Sequence, residues 1–247
     1  MRHLTALIVV VLAAGALAAC GDEATDDDAA SAPATQMSQT ETAPGVTEPE
    51  TTSAVTRGEF NRPTPVSARS NIFAAGQKDQ FESATGGGGA GEMPPVWDLP
   101  AGVRIVMFPR VTGKITPAED VAYEHGPDGG KFDVTDVASL GGISGIVHRR
   151  KFLFLAGVFL TDARPSEPAP PRLNFTKPER FDMLAPLIGQ TFFVGDGERR
   201  RYRVPSGATR LFLGFADHHC PGSRNCPPGW YDNNGGHLMV TVTAAKD

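Results

Sequence analysis

The chain has 247 residues, 40% of them hydrophobic and 21% charged, with a formal net charge of −5. That length suits one well-formed core with tails, and no part carries the clustered basic face a nucleic-acid partner requires, so none is expected. The acidity is local: Gly21 to Thr56 holds eight Asp or Glu and no Lys or Arg, whereas from Arg57 onward 22 basic residues face 20 acidic ones.

In chain order, Arg2 and His3 precede an apolar run from Leu4 to Ala19 that is too short and wrongly flanked for a spanning helix and has the form of a processing segment. It ends in Leu17-Ala18-Ala19-Cys20, which resembles a bacterial lipobox. The resemblance implies a signal peptide over residues 1–19 and lipidation of Cys20, by a diacylglyceryl thioether and an amide-linked chain, giving a stable membrane anchor. Gly21 rather than Asp after that Cys implies onward sorting to the outer membrane of a two-membrane envelope. Residues 20–67 are poor in large apolar side chains and cannot offset their ordering entropy, so they read as a disordered acidic tether kept extended by like charges.

The folded domain is expected over residues 68–247. Asn71 to Gln77 is the first stretch able to join a core, Gly86 to Gly91 is a flexible piece, and Trp97 is a core residue. Short apolar or alternating runs predict strands at Val103–Phe108, Val111–Thr116, Phe152–Leu160, Thr191–Val194, Tyr202–Val204, Thr209–Phe215 and Leu238–Thr243. The helix-like stretch is Glu179 to Leu187, tightly bracketed by Pro178 and Pro186, and the Arg199, Arg200, Arg201, Arg203 run reads as a solvated turn and strand edge. With 21 Pro and 28 Gly punctuating these runs, an all-β sandwich in one domain is the economical architecture.

Between the last two strands lies a loop rich in Gly and Pro that concentrates side-chain oxygens at Asp217, Asp232, Asn233 and Asn234. Hard cations take several such oxygens at once, so calcium is the first chemistry to consider. Of three cysteines, Cys20 is assigned to lipid, leaving Cys220 and Cys226 to pair as a small-loop disulfide in an oxidising space. The alternative is a zinc site built from both with His218 and His219, which has suitable atoms but no familiar spacing.

Gly126-Pro127-Asp128-Gly129, Gly142 to Ile146, Leu155 to Leu160, Pro168 to Phe175, Gly189 to Gly197, Val204 to Gly214 and Pro228-Gly229-Trp230-Tyr231-Asp232-Asn233-Asn234-Gly235-Gly236 follow one another in an order that resembles the PA-IL-like family, calcium-dependent galactophilic lectins with a galactose-binding-domain-like jelly roll. The resemblance spans roughly Ile72 to Thr243. It implies metal ligation by Asp217, by Asn233 and Asn234, by the Trp230 carbonyl and by a further carbonyl between Glu119 and His125. It also implies that two sugar hydroxyls sit directly on calcium, with Asp217, His218, Trp230 and Asn233 about the ligand. His218, His219 and the Cys220 to Cys226 loop lengthen the family's connection beside the sugar position, and the family His that contacts the primary hydroxyl has no counterpart after Gly129.

Trp230 and Tyr231 are candidates for stacking on a sugar face, or else plugs at the sandwich edge. A calcium-stabilised adhesive module with a protein partner is a second reading. An enzyme is the third and least supported: Gly142 to Ile146 lacks the closing Gly of a nucleophile elbow and no His-Glu-x-x-His occurs, leaving Asp128, Asp133 and Asp136 as carboxylates near in sequence.

Overall fold

The strand periodicity of the sequence closes into an all-β sandwich. The computed structural model describes residues 55–77, 89–119, 122–131, 133–177, 181–220 and 224–246, all within one compact unit, Thr51–Asp247. Cys20 and the signal segment lie outside the described residues, as does the expected tether before Val55.

One sheet has five strands in the order β1 (Pro63–Ser67), β12 (Gly235–Ala245), β3 (Ile105–Thr116), β10 (Arg201–Arg203) and β8 (Met183–Leu184). A second has β2 (Val96–Asp98), β11 (Arg210–Gly214), β6 (Ala156–Leu160) and β9 (Phe192–Phe193); a third, small sheet joins β4 (Thr135–Val137), β5 (Ile146–His148) and β7 (Leu173–Asn174). Alternation along β12 turns Leu238, Val240 and Val242 inward, each fully buried, while β11 sends Leu211 and Leu213 into the same core. Burying a side chain of this size stabilises the fold by about 1.5–3 kcal/mol. Rings fill the interior: Tyr202 packs edge-on to Phe108 at 5.2 Å and against Phe192 at 4.9 Å, and its hydroxyl donates to the Phe193 carbonyl at 2.9 Å. Trp97 is fully buried.

Three expectations about elements are corrected. The tether does not extend to residue 67: Pro63–Ser67 is an edge strand antiparallel to β12, pairing Val66 with Leu238, and Val66 is fully buried. Its two prolines suit an edge, where a missing N–H interrupts no second ladder. The two strands expected on either side of Pro109 are one, β3. Thr243 pairs with Met107 and Thr241 with Arg110, so Phe108 and Pro109 together face one residue of β12 in a bulge that absorbs the proline. The segment from Phe181 to Leu187 contains no helix; Met183–Leu184 instead pairs in parallel with β10, since Pro186 and Pro178 leave too few residues between them for helical hydrogen bonds.

Val66→Ala in the full chain separates tether from core. Loss of two buried methyl groups from β1 is expected to cost about 2 kcal/mol, read as a lowered thermal midpoint, whereas a tether residue would leave it unmoved.

Candidate functional site

The chain crosses from one sheet to the other between β11 and β12, and the candidate site lies in that crossing. Phe215 bridges to Asn71 as β11 ends, and the fully buried Tyr231 then ties the crossing together: its hydroxyl accepts from the Asp217 N–H at 3.1 Å and donates to the Phe215 carbonyl at 3.2 Å. Tyr231 is therefore a core fastener, the second of the two alternatives its sequence context offered, and being fully buried it cannot stack on a ligand. At the other end Gly236, with φ of 84°, starts β12 where a β-carbon would stand 2.4 Å from the Lys114 carbonyl; only glycine fits both demands.

The carboxyl of Asp217 is 1% exposed. Its Oδ1 accepts from the His218 N–H at 2.7 Å and its Oδ2 from the Asn234 Nδ2 amide at 2.8 Å. Burial pushes this carboxyl well above the ordinary carboxylate range; the hydrogen bonds from Asn234 and His218 pull the other way without offsetting it, and the charge of Asp133 adds to the rise. Asn234 Nδ2 also donates to the Ala68 carbonyl at 3.2 Å, which fixes the amide orientation and leaves Oδ1 as the unengaged end. Asn234 Oδ1 and its neighbour Asn233 Oδ1 are both buried without a hydrogen-bond partner among the described residues. Backbone bonds hold the pair: the Asn234 N–H donates to the Tyr231 carbonyl at 3.2 Å and the Glu119 N–H to the Asn233 carbonyl at 2.8 Å. Arg69 spans from the Asn234 carbonyl at 3.0 Å to the Glu119 carboxylate.

Asp217, Asn233 and Trp230 line one small cleft of about 140 Å³ together with Pro117, Ala118 and Phe152. At roughly 30 Å³ per water this is room for an ion and a few waters or ligand hydroxyls, below the ~300–1,000 Å³ of most small-molecule pockets. Trp230 has a left-handed backbone, φ 71°, and its ring lies 4.7 Å from that of the exposed His219. Asp133 and His218 complete the wall. Of the oxygens grouped by the sequence, Asp232 alone turns elsewhere, accepting from the Gly91 N–H at 3.0 Å. Gly91 itself, φ 74°, passes so close to Tyr231 that a β-carbon would lie 2.5 Å from it. In the stretch expected to give a further carbonyl, His125 is paired with Ile115, and Asp120 and Val121 lie outside the described residues.

His218 is buried, edge-on to Phe152 at 5.4 Å, with Nε2 2.9 Å from the Val134 carbonyl. A carbonyl can only accept, so Nε2 carries the proton; burial lowers the pKa of the ring and keeps it neutral. Its Nδ1 has no hydrogen-bond partner among the described residues. Cys220 and Cys226 are joined as the expected disulfide. That bond uses the two sulfurs on which the zinc alternative relied.

Asp128, Asp133 and Asp136 occupy three different settings. Asp128 borders a larger cleft of about 620 Å³ with Asp182, Asp196 and Arg200. Arg200 there departs from the solvated run expected of it: it lies over the Phe193 ring at 4.9 Å and bonds Asp196 at 2.8 Å and the Val194 carbonyl at 2.9 Å. Asp133 faces the small cleft. It is carried there by the pairing of Gly130 with Phe152 and of the Thr135 N–H with the Lys151 carbonyl at 3.0 Å, both long-range in sequence.

Asp136, 2% exposed, clamps the disulfide loop. Its carboxylate accepts from Arg149 at 2.7 Å, Arg172 at 2.8 Å and the Asn225 N–H at 3.1 Å, and its carbonyl accepts from the Cys226 N–H at 2.7 Å. Burial works against this charge, but the hydrogen bonds from Arg172 and Asn225 and the two guanidinium charges outweigh it and hold the carboxyl below its usual range. The sequence matches no family model and no curated protein.

A carboxylate with a lowered folded-state pKa contributes stability above its unfolded value, about 3.9, and loses it as pH falls through the folded value. Asp136→Asn is thus expected to lower stability at neutral pH by about 1–3 kcal/mol, discounted because both arginines are partly solvated. In thermal melts the gap between variant and parent should close as pH falls below the ordinary Asp range.

Proposed function

We propose that the domain is a calcium-dependent carbohydrate-binding module. One observation carries this reading: two buried amide oxygens, Asn233 Oδ1 and Asn234 Oδ1, have no hydrogen-bond partner beside a carboxylate almost wholly removed from water. Native proteins seldom leave such groups unsatisfied, and a hard cation satisfies all three oxygens at once.

In this reading Asp217, Asn233, Asn234 and the Trp230 carbonyl hold the ion. Bound calcium supplies positive charge to the buried carboxylate and open positions for hydroxyl oxygens. The residues of the chain do the rest. Tyr231 and Asn234 fix Asp217 in place, Trp230 and His219 wall one side of the cleft, and Phe152 excludes water from the other. The motif order resembling PA-IL-like lectins supports a galactose-like sugar, with His218, Trp230 and Asn233 nearest it. The lipobox-like ending at Cys20 supports display from a bacterial envelope membrane, where many copies would raise the avidity of a weak single site.

Calorimetric titration tests the reading. The parent chain should take up calcium, and Asp217→Asn and Asn234→Ala should each weaken it at least about tenfold, or ~1.4 kcal/mol. Glycan binding should then vanish with a chelator. No calcium heat would sink the metal-mediated mechanism; calcium uptake with no sugar binding would leave the adhesive module, and turnover of a glycan would revive the enzyme.

Acidity offers a second check. A carboxyl whose folded pKa is raised contributes stability below its unfolded value, about 3.9, and that contribution is lost as pH rises through the folded value. Calcium should therefore raise the thermal midpoint more at neutral pH than in acid, where a proton already neutralises Asp217. An equal rise at both would argue that the ion sits elsewhere.

A further inference from the structure

We infer that Cys220, Cys226 and His218 form a second, redox-gated metal site that takes a thiophilic divalent ion of the zinc class once the disulfide is opened. This goes beyond the carbohydrate reading and does not rest on it, because its ligand atoms are sulfur and imidazole nitrogen, whereas the neighbouring cleft offers oxygen to a hard cation.

Three observations converge. First, a ring nitrogen of His218 and the sulfurs of Cys220 and Cys226 all lie within 4.8 Å of one another. On a tetrahedral zinc with bonds of roughly 2.0–2.3 Å, ligand atoms stand about 3.3–3.8 Å apart, so once the S–S bond is opened the two sulfurs must part to that spacing while the imidazole stays within reach of both. Second, His218 is 4% exposed, and its Nδ1 is buried without a partner while Nε2 is engaged by the Val134 carbonyl. That is the preparation seen in metal-ligating histidines: one nitrogen donates its N–H to a backbone carbonyl, and the lone pair of the other is left unengaged among the described residues.

Third, two of the three ligands are held independently of the S–S bond. The Cys226 N–H donates to the Asp136 carbonyl, its own carbonyl accepts from the Ala138 N–H at 2.7 Å, and the Asn225 N–H is bonded to the Asp136 carboxylate. His218 is held by Val134 and packed on Phe152. Opening the disulfide therefore frees Cys220 to move while Cys226 and His218 stay in place. The closed loop separates its cysteines by only six residues, and a cross-link that short contributes little to the stability of the whole domain.

The chemistry balances simply. A dithiol reductant delivers two electrons and two protons to the Cys220–Cys226 bond, giving two thiols, and becomes a disulfide itself. The metal then displaces both thiol protons to solvent and bonds two thiolates and the His218 Nδ1. Three protein ligands leave a fourth position for water.

The test uses the full chain, reduced under argon with a phosphine that is then removed, and titrated with cobalt(II) as a spectroscopic probe. Expected is a single cobalt per chain, with thiolate-to-metal charge-transfer and tetrahedral visible bands that are absent from the oxidised protein and bleached by zinc. Competition should show zinc affinity lowered at least about tenfold in His218→Gln, in line with the cost of disturbing a metal ligand shell, and abolished in Cys226→Ser. Absence of the bands from reduced protein, or a zinc affinity unchanged in His218→Gln, overturns the site. So does loss of the near-ultraviolet circular dichroism of the domain on reduction, because the site presupposes a folded loop. A calcium titration of the oxidised protein runs alongside: its failure would count against the carbohydrate reading and leave the zinc result untouched.

Discussion

The end of the sandwich between β11 and β12 is organised around a carboxylate with almost no water. Moving such a charge out of solvent is costly, and among the described residues Asp217 receives one backbone N–H and one side-chain amide in return. Two outcomes settle the imbalance: a proton or a cation. Much of the local architecture limits the choice to the region of that carboxyl: Tyr231 pins the backbone on either side, Asn234 is fixed by Ala68 and Asp217 with its own oxygen left over, and Asn233 brings a second unengaged oxygen.

Asp136, on β4, shows the opposite solution. It is as deeply buried, but two guanidinium groups and a backbone N–H answer it, and its proton affinity moves down instead of up. One aspartate is a structural joint that seats the disulfide loop; the other is a buried carboxyl held by the His218 N–H and the Asn234 amide. Burial prevails at Asp217, and the hydrogen-bonding and charged partners prevail at Asp136. Between them lies His218, whose neighbours on one side offer oxygen and on the other sulfur.

Legibility in the sequence followed the reach of the forces involved. The runs Phe152–Leu160, Thr209–Phe215 and Leu238–Thr243 announce the strands Ala156–Leu160, Arg210–Gly214 and Gly235–Ala245, because alternation and turn residues act over a few positions. The oxygen-rich loop and the cysteine pair were readable because composition places them within one loop. Misjudged elements depended on distant partners. The first strand, Pro63–Ser67, looks like tether, since proline and threonine carry no strand signal alone and only pairing with β12 makes Val66 a core residue. Pro109 looks like a break because the bulge that accommodates it is set by the opposite strand. Tyr231 and Trp230 look alike in one loop, yet one fastens the core and the other lines a cleft.

By itself, the sequence determined the class of fold, the loop in which side-chain oxygens concentrate and the pairing of Cys220 with Cys226, because each follows from local pattern and chemistry. Only the tertiary structure decided which of those atoms meet. Asp232 turns out to Gly91 while Asn233 and Asn234 turn in; Asp128, Asp133 and Asp136 part company despite their closeness in sequence; Phe152 and Asp133 reach the cleft across a long-range bridge. The reason is that a side chain's solvation and hydrogen-bond partners are properties of the packed sheets around it. Whether an oxygen is left unsatisfied can be counted only after every neighbour has taken its place.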